Sequence, residues 1–127
     1  MRTLFLLIFL GLGGNIFVPA HAKSKPRGGQ NYYVDAQNGD DRADGKSEKT
    51  AWKSLLRTKE LQLRAGDSLL LRRNSSFNGL LEVSAEGKAG RPVVIGAYGT
   101  GRKPCIQAPD SSLYTVLVRN SDYLTLE

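Results

Sequence analysis

From residue 66 onward, apolar positions come in short runs broken by Gly, Pro, Asn or Asp. The runs are Ser68–Leu71 (SLLL), Leu80–Val83 (LLEV), Pro92–Tyr98 (PVVIGAY), Cys105–Gln107, Tyr114–Val118 (YTVLV) and Tyr123–Leu126 (YLTL). Short runs of this kind, rich in branched residues and bounded by turn formers, predict many short strands. Continuous triplets such as Leu69-Leu70-Leu71 and Val93-Val94-Ile95 predict strands buried in a core. Upstream, Asn31–Val34 (NYYV) reads as a first strand. The period then changes. Trp52, Leu55 and Leu56 fall at i, i+3 and i+4, which places them on one face of a helix starting near Ala51. Ser47 or Thr50 can cap that helix, and Ala65-Gly66-Asp67 is the turn that ends it. Spacing alone leaves a sandwich, a barrel and a β-helix open, and no strict repeat is visible.

The first 22 residues follow a different logic. Arg2 is followed by the apolar run Leu4–Leu10 (LFLLIFL), and Ala20-His21-Ala22 is a small-x-small site. This is the pattern of a secretory signal peptide cleaved before Lys23. A spanning helix needs about 20 apolar residues. The stretch here is interrupted by Gly11, Gly13, Gly14 and Asn15 and stops at Pro19. The mature chain is therefore expected to be secreted, extracellular or periplasmic, with no stable membrane association after cleavage. Residues 23–30 (KSKPRGGQ) contain no apolar side chain and read as a disordered leader.

Cleavage limits the chemistry. His21 is the only histidine and leaves with the signal, so residues 23–127 can form neither a histidine-dependent triad nor a histidine-ligated zinc site. Cys105 is the only cysteine and has no internal disulfide partner. Flanked by Pro104 and Ile106, it reads as a small buried hydrophobe, with a reactive thiol as the sharper alternative. Loss of Arg2 from the 18 basic residues leaves 17 against 12 acidic ones, a net charge of +5. That charge is compatible with an acidic polysaccharide partner. It is not gathered in one block or interleaved with aromatics, so nucleic acid is not an expected partner.

Two local clusters are weighed as sites. Asp35, Asn38, Asp40, Asp41 and Asp44 lie in one loop dense enough in oxygen for Ca²⁺, though without the order or closing Glu of an EF-hand. The favoured reading is a turn-rich loop whose side chains bond their own backbone. Asn74-Ser75-Ser76 is an N-x-S sequon, equally explained as a turn between strands.

The order of several pieces carries a resemblance. Tyr32-Tyr33-Val34-Asp35, Gly39-Asp40-Asp41, Asp44-Gly45-Lys46-Ser47, Ala51-Trp52-Lys53-Ser54-Leu55, Ala65-Gly66-Asp67-Ser68-Leu69-Leu70-Leu71-Arg72 and Phe77-Asn78-Gly79 follow one another. Gly90-Arg91-Pro92-Val93-Val94-Ile95, Ala97-Tyr98-Gly99 and Pro104-Cys105-Ile106 continue the series. Over residues 31–127 the chain resembles the opening of pectate-lyase-like right-handed parallel β-helix proteins. It departs from them at Asn74, where Gly is common, and at Cys105, where an aliphatic residue is. The resemblance implies an all-β fold with an N-terminal capping helix over the first coil and only the first rungs of the β-helix present. It also implies a chain cut short relative to the family, because it stops within a strand-like run at residues 123–127. By resemblance, the full-length protein is a polysaccharide lyase or glycoside hydrolase, for which Ca²⁺ is a possible cofactor. The alternative is a non-catalytic, adhesin-type binding rod. No residue of this chain matches a catalytic, cofactor-binding or metal-ligating position, so the fragment is expected to be inactive and to hold no cofactor.

Overall fold

The computed structural model describes residues 28–127. The signal-peptide reading of residues 1–22 and most of the leader lie outside them. Nine strands follow in chain order: β1 (Asn31–Val34), β2 (Gln62–Arg64), β3 (Ser68–Arg72), β4 (Ser76–Asn78), β5 (Leu81–Glu86), β6 (Val93–Tyr98), β7 (Cys105–Gln107), β8 (Val116–Asp122) and β9 (Leu124–Leu126). Between β1 and β2 lies a single 3₁₀ helix, Leu55–Glu60. The described chain is thus all-β with very little helix.

The strands form three sheets, ordered β9-β6-β3-β1, β2-β5-β8 and β4-β7. Every strand pairing is parallel. From β2 onward the chain visits the three sheets in a fixed cycle, each visit landing beside the previous strand of the same sheet. That path fits a β-helix-like fold. Asn31 pairs with Ser68, Ser68 with Val94 and Val94 with Thr125. The unequal spacing of these partners explains why no sequence repeat is visible: the loops between strands differ in length, and the register itself shifts between Ser84 and Glu86 where β5 pairs with β8.

Alternation decides which side chains face inward. In β3, Leu69 and Leu71 are buried while Ser68, Leu70 and Arg72 are half-buried; in β6, Val93 and Ile95 are buried and Val94 is not. The apolar triplets are therefore not sealed on both faces. Leu70 and Val94 lie on the outer face of their sheet. The interior is a single cluster that includes Val34, Trp52, Leu55, Leu63, Leu69, Phe77, Leu81, Val83 and Ile95.

The expected capping helix is the main correction. Ala51 and Trp52 are not helical. Trp52 makes a parallel bridge with Val34. Its N–H donates to the Tyr33 carbonyl at 3.0 Å, and its carbonyl accepts from Asp35 N–H at 2.7 Å. Tyr33 N–H donates to the Gly45 carbonyl at 2.8 Å. The outer edge of β1 is thus covered by backbone of the loop that follows it, which answers the same need to protect an open strand edge. The helix starts later, at Leu55, and Ser54 caps it by accepting from Leu56 N–H. Ser47 and Thr50 instead bond each other, with hydroxyls 2.7 Å apart. Leu55 is buried, but Leu56 is 68% exposed, because three-residue periodicity turns it away from the face a 3.6-residue helix would give it.

Trp52 itself is buried as expected. Its ring stacks on Tyr32 with centroids 5.8 Å apart, its Nε1–H donates to the Ala43 carbonyl at 2.8 Å, and the Arg57 guanidinium lies 5.5 Å from its ring centre. Gly45 is required beneath it: φ is +71°, and a Cβ there would lie 2.5 Å from the ring.

Four smaller differences follow from local geometry. Cys105 is exposed, because alternation in β7 turns Ile106 inward and Cys105 out. Strand β2 and strand β4, the latter beginning at Ser76, were not legible as apolar runs, since each buries one side chain only, Leu63 and Phe77. Asn74 has φ of +59°, a conformation Asn tolerates, which accounts for Asn where Gly is common in the resembling proteins. Gln30, the last residue of the expected leader, is tied down: its N–H donates to Asp67 Oδ1 at 2.9 Å, and its carbonyl accepts from Ser68 N–H at 2.9 Å.

Candidate functional site

The acidic loop was the first candidate, and the structure places its carboxylates apart, each with its own partners. Asp35 directly follows β1 and is buried. Its Oδ1 accepts from the N–H groups of Gln37 and Asn38 at 2.9 and 3.1 Å, and its Oδ2 from Arg72 Nη1 at 2.9 Å. Burial alone would raise its pKa, but the two backbone donors and Arg72 outweigh it and hold the carboxyl below its ordinary range. Asp40 is exposed and forms a two-pronged pair with Arg42, whose side chain holds its pKa down. Asp41 crosses the loop to accept from Lys53 N–H, Ser54 N–H and the Ser54 hydroxyl at 2.7–2.9 Å. Asp44 accepts from Lys46 N–H at 2.9 Å. Asn38 contributes its backbone N–H to Asp35. The bonds of Asp35 to Gln37 and Asn38 and of Asp44 to Lys46 are local side chain-to-backbone turns of the kind Asp favours, whereas Asp41 ties the loop to Lys53 and Ser54. Among the described residues, no three His, Cys, Asp or Glu side chains converge as a metal site would require.

What the loop does position is the outer face of the first sheet. Asp35 fixes Arg72, and Arg72 lies beside Tyr98 in the register of β3 and β6. Tyr98 meets Tyr33 of β1 edge to face, with centroids 5.1 Å apart and planes at 87°. Beside Tyr33 in the register lie the outward positions Leu70 and Gly96, paired to each other. Gly96 leaves a shallow step in the face, with Glu127 Oε1 3.6 Å from where a Cβ would sit. The Tyr98 hydroxyl is buried and has no hydrogen-bond partner among the described residues. Its pKa is pushed up to about 12, first by burial and then by the negative charge of Asp35, with Arg72 partly offsetting both.

Two half-exposed aromatic rings beside a fixed ion pair form a surface that offers flat apolar area together with oriented polar groups. That is the combination used by sites that hold small polar rings. It is not an acid–base pair. A catalytic acid working near neutral pH needs a raised pKa, whereas Asp35, Asp40, Asp41 and Asp44 are all shifted down. Sequence reading singled out Asp35 but not Tyr33, Arg72 or Tyr98. Their convergence depends on strand register. The one available signal was their shared outward parity in three strands, and that is usable only once the pairing is known.

A second feature lies among the later strands. The inward side chains Leu71, Leu81, Ile95, Ile106, Val116 and Leu126 line a cavity of about 480 Å³. It continues the apolar interior. No helix among the described residues is long and apolar enough to cross a membrane.

No family model matches the chain. A lacto-N-biosidase of Bifidobacterium longum subsp. longum is 41% identical over 75 residues, covering 56% of this chain and 5% of that protein. Two crystal structures of a GH136 lacto-N-biosidase from Eubacterium ramulus, a selenomethionine derivative and the native protein, superpose with TM-scores of 0.68 and 0.64. Their identities to this chain are 34% and 32%, and each match covers 76% of this chain and 19% of the solved one. The chain thus spans about a fifth of the solved proteins it matches, and those relatives are carbohydrate-active glycoside hydrolases. The pectate-lyase-like resemblance holds at that coarser level: a mostly-strand chain with parallel sheets and carbohydrate-active relatives.

Proposed function

We propose that residues 31–127 are the N-terminal cap and first rungs of a secreted right-handed parallel β-helix protein that acts on carbohydrate as a glycoside hydrolase. The observation that carries this reading is the coincidence of two likenesses in one stretch. The same chain that cycles through three parallel sheets matches a GH136 lacto-N-biosidase over 76% of its length at 34% identity. A hydrolase is favoured over a lyase, because the chain is similar to lacto-N-biosidases in both sequence and structure.

Within that protein the described residues bind and support rather than catalyse. The downward-shifted carboxyls of the loop are poor proton donors near neutral pH. The Tyr33–Tyr98 face supplies a surface on which a sugar ring can stack, with Arg72 available to hydrogen-bond a hydroxyl. The same observation favours a second reading, in which this portion serves as a non-catalytic carbohydrate-binding module.

The test pairs turnover with binding. The full chain is incubated with oligosaccharides ending in the lacto-N-biosyl unit and assayed for new reducing ends, and binding of the same sugars is followed by calorimetry. Weak binding without turnover, lost in Tyr33→Ala, is the expected result. Turnover by this chain alone would overturn the supporting role. No binding to any neutral or acidic oligosaccharide would overturn the carbohydrate reading of this face.

A further inference from the structure

The last pass of the chain through the three sheets ends each of them. Among the described residues, β7, β8 and β9 each have a strand on one side only. Their outer edges therefore offer backbone N–H and C=O groups to a further strand. The apolar cavity of about 480 Å³ lies beside them, with Ile106, Val116 and Leu126 of these strands in its lining. Five large apolar side chains are exposed among the described residues, and four of them, Leu113, Tyr114, Tyr123 and Leu126, belong to this pass. A surface that joins apolar side chains to strand edges marks a protein contact. A sugar or a lipid would cover the side chains and leave the edges unmet, whereas a polypeptide with strands meets both.

We propose that this face docks the same face of a second copy of the chain, giving a closed two-fold dimer. An occupant must bring three strand edges at the spacing of these three, and a second copy brings them. A two-fold axis lying in the face and passing through β8 sets β8 against itself and β9 against β7 of the other copy. The lengths agree: β9 and β7 have three residues each, and β8, with seven, meets its own equal. The chain runs through the sheets in one sense, so two copies face to face run in opposite senses and the new ladders are antiparallel. Parity fixes the register of β9 against β7. Leu124 and Ile106 both pack against the interior. Opposing them sets Thr125 against the exposed Cys105 and Glu127 against Lys103. Glu127 and Lys103 carry opposite charges and both border the cavity, so the ion pair forms twice across the axis. The other end of the molecule cannot take the place of this face. There the edge of β1 is already bonded to the loop through Gly45 and Trp52, so assembly stops at two copies and does not grow into a fibre. The inference uses the three-sheet path and not the carbohydrate reading.

The full chain is followed by sedimentation velocity over a range of concentrations, and a monomer–dimer step with no larger species is expected. Glu127→Lys sets like charges against each other and should weaken the dimer tenfold or more. Adding Lys103→Glu should restore it, because the swapped charges face each other again. Leu126→Lys should abolish it. Lys103, Leu126 and Glu127 are exposed in the single copy, so thermal unfolding of the monomer should be unchanged in all three variants. Thr125→Cys supplies a thiol opposite Cys105. With oxidised glutathione present it should give a disulfide-linked dimer, absent in the parent and absent when Cys105→Ser is added. A chain that stays monomeric at every concentration would overturn the proposal and leave the face to a further layer of strands from a longer protein. Species beyond the dimer would refute the closed, face-to-face arrangement. A dimer indifferent to Glu127→Lys and Leu126→Lys would use another surface, such as the apolar run Leu4–Leu10, and would refute this one.

Discussion

Truncating Trp52 is the most informative perturbation of the fold, because one side chain joins the loop, the first sheet and the 3₁₀ helix. Trp52 is 4% exposed. Trp52→Ala removes its burial, the stack on Tyr32, the hydrogen bond to the Ala43 carbonyl and the Arg57 contact. Deleting a buried large aromatic costs about 3–5 kcal/mol. Within that total, the hydrogen bond accounts for about 1 kcal/mol, the ring pair for about 0.5–1.5 kcal/mol and the guanidinium contact for about 0.5–1 kcal/mol. Trp52→Phe keeps most of the area and loses chiefly the Nε1–H bond, so about 1–2 kcal/mol is expected. The backbone bridge to Val34 survives in both variants. Urea unfolding followed by far-ultraviolet circular dichroism measures the difference. Tryptophan fluorescence serves only the parent, where the single Trp should emit as a buried indole. Gly45→Ala is a second approach to the same packing, since it forces a Cβ against the ring at a positive φ. A loss below about 1 kcal/mol for Trp52→Ala would mean that the ring is not in the core and that the loop does not hold the edge of β1.

Other consequences follow from single residues. Leu55→Ala should cost about 2–5 kcal/mol and Leu56→Ala within about 0.5 kcal/mol; equal losses in denaturant titrations would restore the ordinary helix face. Asp35 has a depressed folded pKa, so its contribution to stability is present above the unfolded value near 3.8 and is lost as pH falls through the lower folded value. Acid unfolding should show this, and Asp35→Asn should flatten that part of the profile. Tyr98 works in the opposite direction. Its proton is held more tightly in the folded chain, so stability falls as pH rises from about 10 to about 12, and tyrosinate absorbance should show an ionisation step near that upper value that Tyr98→Phe abolishes. N-terminal sequencing of exported protein should begin at Lys23; Met1 on membrane-bound material would contradict the signal reading.

Parity and turn residues made much of the fold legible in advance. The strand at Asn31–Val34 and that at Cys105–Gln107 coincide with their sequence limits, and five other runs mark strands to within a few residues. The turn at Ala65-Gly66-Asp67 is present, but it joins β2 to β3 instead of ending the helix, which stops at Glu60: the φ of +87° at Gly66 suits glycine, and Asp67 closes the turn by accepting from Arg64 N–H. The paired turns around the Asp-rich loop were also readable, because Asp and Asn bond their own backbone whatever surrounds them. These are local properties, carried by neighbours along the chain.

Tertiary structure decided the rest, and in each case the reason is a partner distant in sequence. The face formed by Trp52, Leu55 and Leu56 looked helical, yet β1 needed its edge covered, and pairing with Val34 drew Trp52 into extended backbone. Cys105 looked buried beside Pro104 and Ile106 until pairing with Ser76 set its parity outward. The assembly of Tyr33, Arg72 and Tyr98 depends on the register Tyr33–Leu70 and Arg72–Tyr98, which nothing local specifies. Local chemistry determined where strands begin, turn and end. Only the parallel pairing of strands within each sheet determined which outward side chains meet, because that contact joins residues 26–37 positions apart.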